Sequence, residues 1–153
     1  MEFLVASIVV INGIAVLMPK RIPKWEFYVT AWFALFFELI TNVYIDLKYD
    51  LYGYFDKGPS WATILVMFGL YPAGNAIIIN FYPYTRTWIS KMVFVLATDA
   101  ICSVYEVLAT RTTFFYYNGW RWWYSALAYL VIVPILITNR NITRALVERD
   151  EKD

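Results

Sequence analysis

Between Trp88 and Thr110 the chain runs 23 residues of mainly apolar sequence with a carboxylate, Asp99, near its middle and Glu106 two turns further on. A helix of about 20 residues spans the roughly 30 Å hydrocarbon core of a bilayer. A carboxyl in such a helix must face the bundle interior and be paired, hydrated or protonated. This stretch therefore requires partner helices that supply polar groups at its depth, and it marks where function is to be sought.

The rest of the chain supplies such partners. Of its 153 residues 61% are hydrophobic and only 16% charged, against about a quarter charged in soluble domains. The fold class expected is all-α, a single membrane domain over 1–153. It is an integral bundle of five transmembrane helices at about 3–19, 26–47, 61–81, 88–110 and 122–139, with a cytoplasmic tail 140–153. Phe3–Met18 lacks the basic start and small-x-small end of a signal peptide and reads as a retained first helix. Asn12 in it reads as a helix-packing contact. Pro72, flanked by Gly69 and Gly74, should kink the third helix, because proline leaves the Phe68 carbonyl without its donor.

Lysine and arginine set the orientation. Lys20, Arg21, Lys24, Arg86, Lys91, Arg140, Arg144, Arg149 and Lys152 fall on one side; Lys48, Lys57, Arg111 and Arg121 fall on the other. The positive-inside rule makes the richer side cytoplasmic, with the amino terminus outside and the carboxyl terminus inside the cell membrane. Both aromatic loops, 49–60 and 111–124, are then external, as an interfacial belt and packed lid.

Shifted by 61 residues, the chain matches itself. Phe33 meets Phe94, Val43-Tyr44 meets Val104-Tyr105, Gly58 meets Gly119, Trp61 meets Trp122, and Glu38 lands on Asp99. Helices two and three would then repeat as four and five, parallel and related by an axis along the membrane normal, with Glu38 facing Asp99.

Leu70-Tyr71-Pro72 resembles the Tyr-Pro motif of an uncharacterised family of small multi-pass membrane proteins of endospore-forming Gram-positive bacteria. Asn118 to Ser125 resembles that family's Asn-Gly-Trp-x-x-Trp-x-Ser signature. The resemblance runs from about Trp25 to Arg140; the tail, 139–153, departs from the family's more basic, proline-bearing one. It implies architecture and host range, and it assigns no activity.

The candidate ligand- or proton-binding residues are Glu38 and Asn42 on one stripe, Asp99, Ser103 and Glu106 on another, and Tyr71 and Tyr105 as hydroxyl bridges. Catalytic residues are not assignable. With no histidine and a lone cysteine, Cys102, and without a nucleotide loop or nucleophile triad, the chain indicates no metal and no cofactor. Asp46, Asp50 and Asp56 could bind a divalent cation, but their spacing matches no loop motif, and solvated loop charges are the simpler reading. A net charge of +1 argues against nucleic acid. The partners implied are the lipid bilayer and a second copy or another membrane protein.

Three functions compete. The buried acids can serve proton- or cation-linked transport, or hold helices as a clamp at about 1–2 kcal/mol per contact. The aromatic loops can be the mouth of a site that binds or processes a lipid or small apolar ligand at the outer leaflet, with enzymatic status left open. Or the chain is a non-catalytic partner in an envelope or spore-membrane complex. A polar cavity reaching both faces favours the first; a cavity opening outward or sideways favours the second; a fully packed core favours the third.

Overall fold

A computed structural model of the chain describes residues 1–55, 57–58 and 61–152. Helix α1 spans Glu2–Leu17 and α2 spans Lys24–Thr41, continuing as a π-helical turn over Asn42–Lys48. Strand β1 is Tyr52–Tyr54, α3 is Trp61–Gly69, α4 is Tyr71–Phe81, and α5 is Trp88–Thr110. Strand β2 is Phe115–Tyr117 and α6 is Trp122–Asp150. Four stretches, Lys24–Lys48, Trp61–Phe81, Trp88–Thr110 and Trp122–Asp150, are long and apolar enough to cross a membrane. Helix α1 has 16 residues, about 24 Å of rise.

The centre is a trio: α2 packs on α4 and α6, and α4 touches α6. Helix α1 flanks α3 and α4, while α5 flanks α6 and reaches β2. The fold is thus a helical bundle, as composition indicates. Its third segment does break at Pro72, which opens α4 in a first-turn position where its missing N–H costs nothing. Asn12 of α1 caps the break, its Nδ2 donating to the Gly69 carbonyl at 2.7 Å. Gly69 lets Ile8 of α1 pack close, since a Cβ there would lie 2.7 Å from Ile8 Cδ1 and would make that side chain shift.

Two boundaries differ from expectation. The second helix is not α-helical to its end: Thr41 Oγ1 donates back to the Phe37 carbonyl at 2.9 Å, a bond that loosens helices, and the wider π turn begins at the next residue. The last helix does not stop near 139 but runs on to Asp150. Arg140 is held inside the bundle by Glu26, and Arg144 bonds Glu148 one turn on at 2.6 Å, so the segment expected as a tail has reasons to stay helical.

The two aromatic loops form one structure. β1 and β2 pair antiparallel, Tyr52 with Tyr117, Gly53 with Tyr116 and Tyr54 with Phe115. The amides of Asn118 and Trp120 both donate to the Leu51 carbonyl, at 2.8 and 3.1 Å. Beneath this ribbon Leu4, Tyr54, Val66, Leu70, Ala109, Phe114 and Phe115 make a core cluster. A second cluster, Ile22, Ala34, Ile79 and Leu136, fills the opposite end. There buried Asn80 staples the α1–α2 turn, accepting from the Arg21 amide at 2.8 Å and donating to the Pro19 carbonyl at 3.0 Å.

Candidate functional site

Glu106 lies one turn before the end of α5, where that helix meets both α6 and the ribbon. Three hydroxyls converge on its carboxyl. Tyr117 of β2 donates to Oε1 and Tyr129 of α6 to Oε2, each at 2.5 Å, and Ser125 of α6 also donates to Oε1. Trp120 Nε1 donates to Ser125 Oγ at 2.8 Å, extending the network to the loop. Buried acceptors in a low-dielectric setting gain from each such donor.

Glu38, near the end of the α-helical part of α2, is the second acid. Asn42 Nδ2 donates to its Oε1 at 2.9 Å. The hydroxyls of Tyr71 and Tyr54, which share a hydrogen bond of 2.5 Å, approach the same carboxyl. Glu38 and Glu106 are close enough to act on one another electrostatically. Burial pushes the ribbon hydroxyls of Tyr52, Tyr54 and Tyr117 up, with the acids adding to it, so these tyrosines are neutral hydrogen-bonding groups across the physiological range. The ribbon is itself tied down at its edge. Asp50 accepts from Lys57 and, at 2.8 Å, from Asn118, and the bond from Lys57 holds the Asp50 carboxyl below its usual range.

Beside this cluster a groove of about 320 Å³ runs between the π turn and α3, lined by residues including Asn42, Val43, Asp46, Trp61, Ile64 and Met67. Leu39, Val43, Leu47 and Ile64 on its walls are exposed, so it opens sideways on the bundle. Asn42 belongs to both features: its amide nitrogen holds Glu38, while its Oδ1 is buried and unpartnered. Asp46, one step along the π turn, is 5% exposed. A second, shallower depression on α5, between Phe81 and Ala97, shares no residue with the groove.

Of the expected residues, Glu38, Asn42, Tyr71 and Glu106 come together. Asp99 and Ser103 do not join them. They lie one to two turns away on α5, with Asp99 Oδ1 and Ser103 Oγ buried and unpartnered. The acid that Glu38 meets is Glu106, not Asp99, because α5 packs on α6 rather than on α2. Tyr105 points away from the cluster and stacks on Phe3 of α1, centroids 5.6 Å apart. In the acidic loop set, Asp50 is taken by Lys57, Asp46 lies in the groove, and Asp56 is outside the described residues.

Ser125 and Tyr129 also belong to the cluster without having been expected there, and Tyr54, Tyr117 and Trp120, expected only as part of the aromatic loops, bond within it or beside it. Trp120 and Ser125 sit within the Asn-Gly-Trp segment already singled out, which was the available signal. Also missed was an ion pair at the opposite end: Arg140 Nε donates to Glu26 Oε2 at 2.5 Å, with exposures of 5% and 1%. The Arg140 guanidinium lies 4.0 Å from the centroid of Tyr84. Burial raises the Tyr84 hydroxyl to about 12 in spite of the cation. No family model, curated protein or solved structure matches the chain.

Proposed function

We propose that the protein is a cell-membrane protein of five crossings that binds a lipid-like ligand at the outer leaflet through the groove beside the π turn. The observation that carries this reading is the sideways opening of a mainly apolar groove whose polar wall, through Asn42, is the same amide that holds Glu38. Ligand sites are commonly apolar clefts with a few fixed polar groups, and π turns are frequent at functional sites. Filling the groove tests it. Ile64→Trp and Val43→Trp should each lower the lipid that co-purifies with the protein, measured by mass spectrometry of the extract. An unchanged lipid content in both variants refutes the reading.

The basic split between the two sides supports an external ribbon and amino terminus, with α1 as the fifth crossing. Labelling of Arg21→Cys from outside intact cells would overturn that orientation. The duplication has support in the ribbon. Tyr54 and Phe115, 61 residues apart, are paired, and Gly58 and Gly119, also 61 apart, share left-handed φ of +96° and +94°. Trp61 and Trp122 both begin helices. Tyr54 and Phe115 form the end pair of the ladder, and an antiparallel pairing of equivalent residues is what a two-fold axis passing between them would produce. α1 packs on α3 and α4 and lies outside the proposed repeat. Membership of the endospore-former family is part of this proposal, and three of the residues carrying that resemblance, Tyr71, Trp120 and Ser125, lie in the carboxyl cluster.

Proton- or cation-linked transport is the second reading, favoured by two carboxyls joined through hydroxyls. It ranks second because the cluster does not include Asp99. On the lipid side of α5, Val93, Leu96, Ile101 and Val104 are exposed, which leaves room for a second copy or a membrane partner.

A further inference from the structure

We infer that the ligand of the lateral groove is a membrane-borne amphiphile with an ammonium headgroup, seated against Asp46 and Asn42 Oδ1. The inference rests on the groove reading above and adds the charge class of its occupant. Asn42 and Asp46 are the two deeply buried polar residues of the groove, 4% and 5% exposed. Asn42 lines the groove and has spent its amide nitrogen on Glu38; its remaining polar atom, Oδ1, is a buried acceptor with no partner. Asp46 offers a carboxyl.

Neither nearby lysine serves as a counter-charge. Lys57 is bonded to Asp50. Lys48 lies over the rings of Tyr44 and Tyr49, 5.3 and 5.1 Å from their centroids. A headgroup that donates hydrogen bonds and carries positive charge meets both needs, since a buried carboxyl is costly unless paired. An anionic headgroup would meet acceptors and a like charge. Trp61, 84% exposed on the groove wall, is placed for cation–π contact with a cation entering from the interface. The apolar walls, Val43, Ile64 and Met67 among them, are left for the chain of the amphiphile.

The test titrates dodecylammonium, dodecanol and dodecanoate into the full-length protein in neutral maltoside micelles, with bound ligand counted by native mass spectrometry. Dodecylammonium should bind about tenfold or more tighter than dodecanol, and dodecanoate weakest. Asp46→Asn should erase the preference for dodecylammonium over dodecanol. Ile64→Lys, which keeps Asp46 and places a cation in the groove, should weaken dodecylammonium selectively. Equal binding of the three amphiphiles, or a preference that survives Asp46→Asn, overturns the ammonium inference while leaving the groove reading standing. Ethylammonium binding as tightly as dodecylammonium overturns the membrane-borne source. Absence of saturable binding by all of them overturns the inference and the groove reading together.

Discussion

Removing Arg140 should cost more than removing Arg140 and Glu26 together. Arg140→Met keeps the length of the side chain and leaves the Glu26 carboxyl, 1% exposed, without its main cation. Breaking a buried pair on one side costs about 3–5 kcal/mol, because the remaining charge stays desolvated. The loss of the Tyr84 contact, 4.0 Å from the guanidinium, adds about 0.5–2 kcal/mol. Arg144, whose Nη1 is 3.5 Å from Glu26 Oε1 but which is 47% exposed, offsets only part of this, so a net loss of about 3–5 kcal/mol is expected. Replacing both residues by apolar ones, Glu26→Leu with Arg140→Met, removes the stranded charge and should recover most of it, since buried pairs exchanged for packed apolar groups come out near neutral. Unfolding of the purified protein in mixed micelles, run as a double-mutant cycle, measures the coupling. If the double variant is as unstable as the sum of the two single ones, the pair is not closed in the way described.

Three further outcomes are expected. Glu106→Leu strands the hydroxyls of Tyr117, Ser125 and Tyr129 and should cost about 3 kcal/mol or more in the same unfolding assay, whereas Glu106→Gln, which keeps an acceptor, should cost clearly less; equal losses would contradict a hydrogen-bonding role. Asn12→Ala leaves the Gly69 carbonyl uncapped and should cost about 1–3 kcal/mol, visible as faster hydrogen exchange in residues 66–74; unchanged exchange there would refute the cap. The tie between Asp50 and Lys57 should hold the ribbon over a defined pH window. The Asp50 pKa is lowered, so its contribution is present above 3.8 and is lost as pH falls through the folded value. The Lys57 pKa is raised, so its contribution is full below 10.5 and is lost above that. Exchange of the Asn118 amide should therefore show the least opening between those limits, and Lys57→Met should flatten the profile.

What was legible followed from composition and spacing. Apolar runs of membrane length appear as helices at 61–81 and 88–110, because a backbone in lipid has few other ways to satisfy its own polar groups. Pro72 breaks its segment for a reason local to the residue. Glu38 and Asn42 share a stripe because four residues turn a helix almost back on itself. Which helix faces which is a different matter. The pairing of Glu38 with Asp99 assumed that α2 and α5 touch, and no property of either helix alone decides that. The ribbon could not be foreseen from strand periodicity, since three-residue strands are too short to show any; it arises because two interfacial loops pair with each other. Glu26 and Arg140, 114 residues apart, carried no local sign of their contact, and a charge in an expected tail reads as solvated until a helix is seen to bury it.

The two ends of the bundle handle buried acids in opposite ways, and the contrast bears on function. At the Glu26 end the counter-charge is internal: Arg140 is nearly as buried as its partner, and Tyr84 covers its face. At the ribbon end Glu106 is held by three hydroxyls, Glu38 by an amide with two tyrosine hydroxyls close by, and among the described residues no cation forms a salt bridge with the groove acid Asp46. Hydroxyls and amides can orient a carboxyl, but they bring no formal charge to it. A membrane bundle can bury a clamp made only of such groups, but such a clamp leaves the buried Oδ1 of Asn42 without a partner. On the proposed reading, the buried, unpartnered Oδ1 of Asn42 and the carboxyl of Asp46, both on groove-lining residues, are the groups that a donor-bearing ligand would complete.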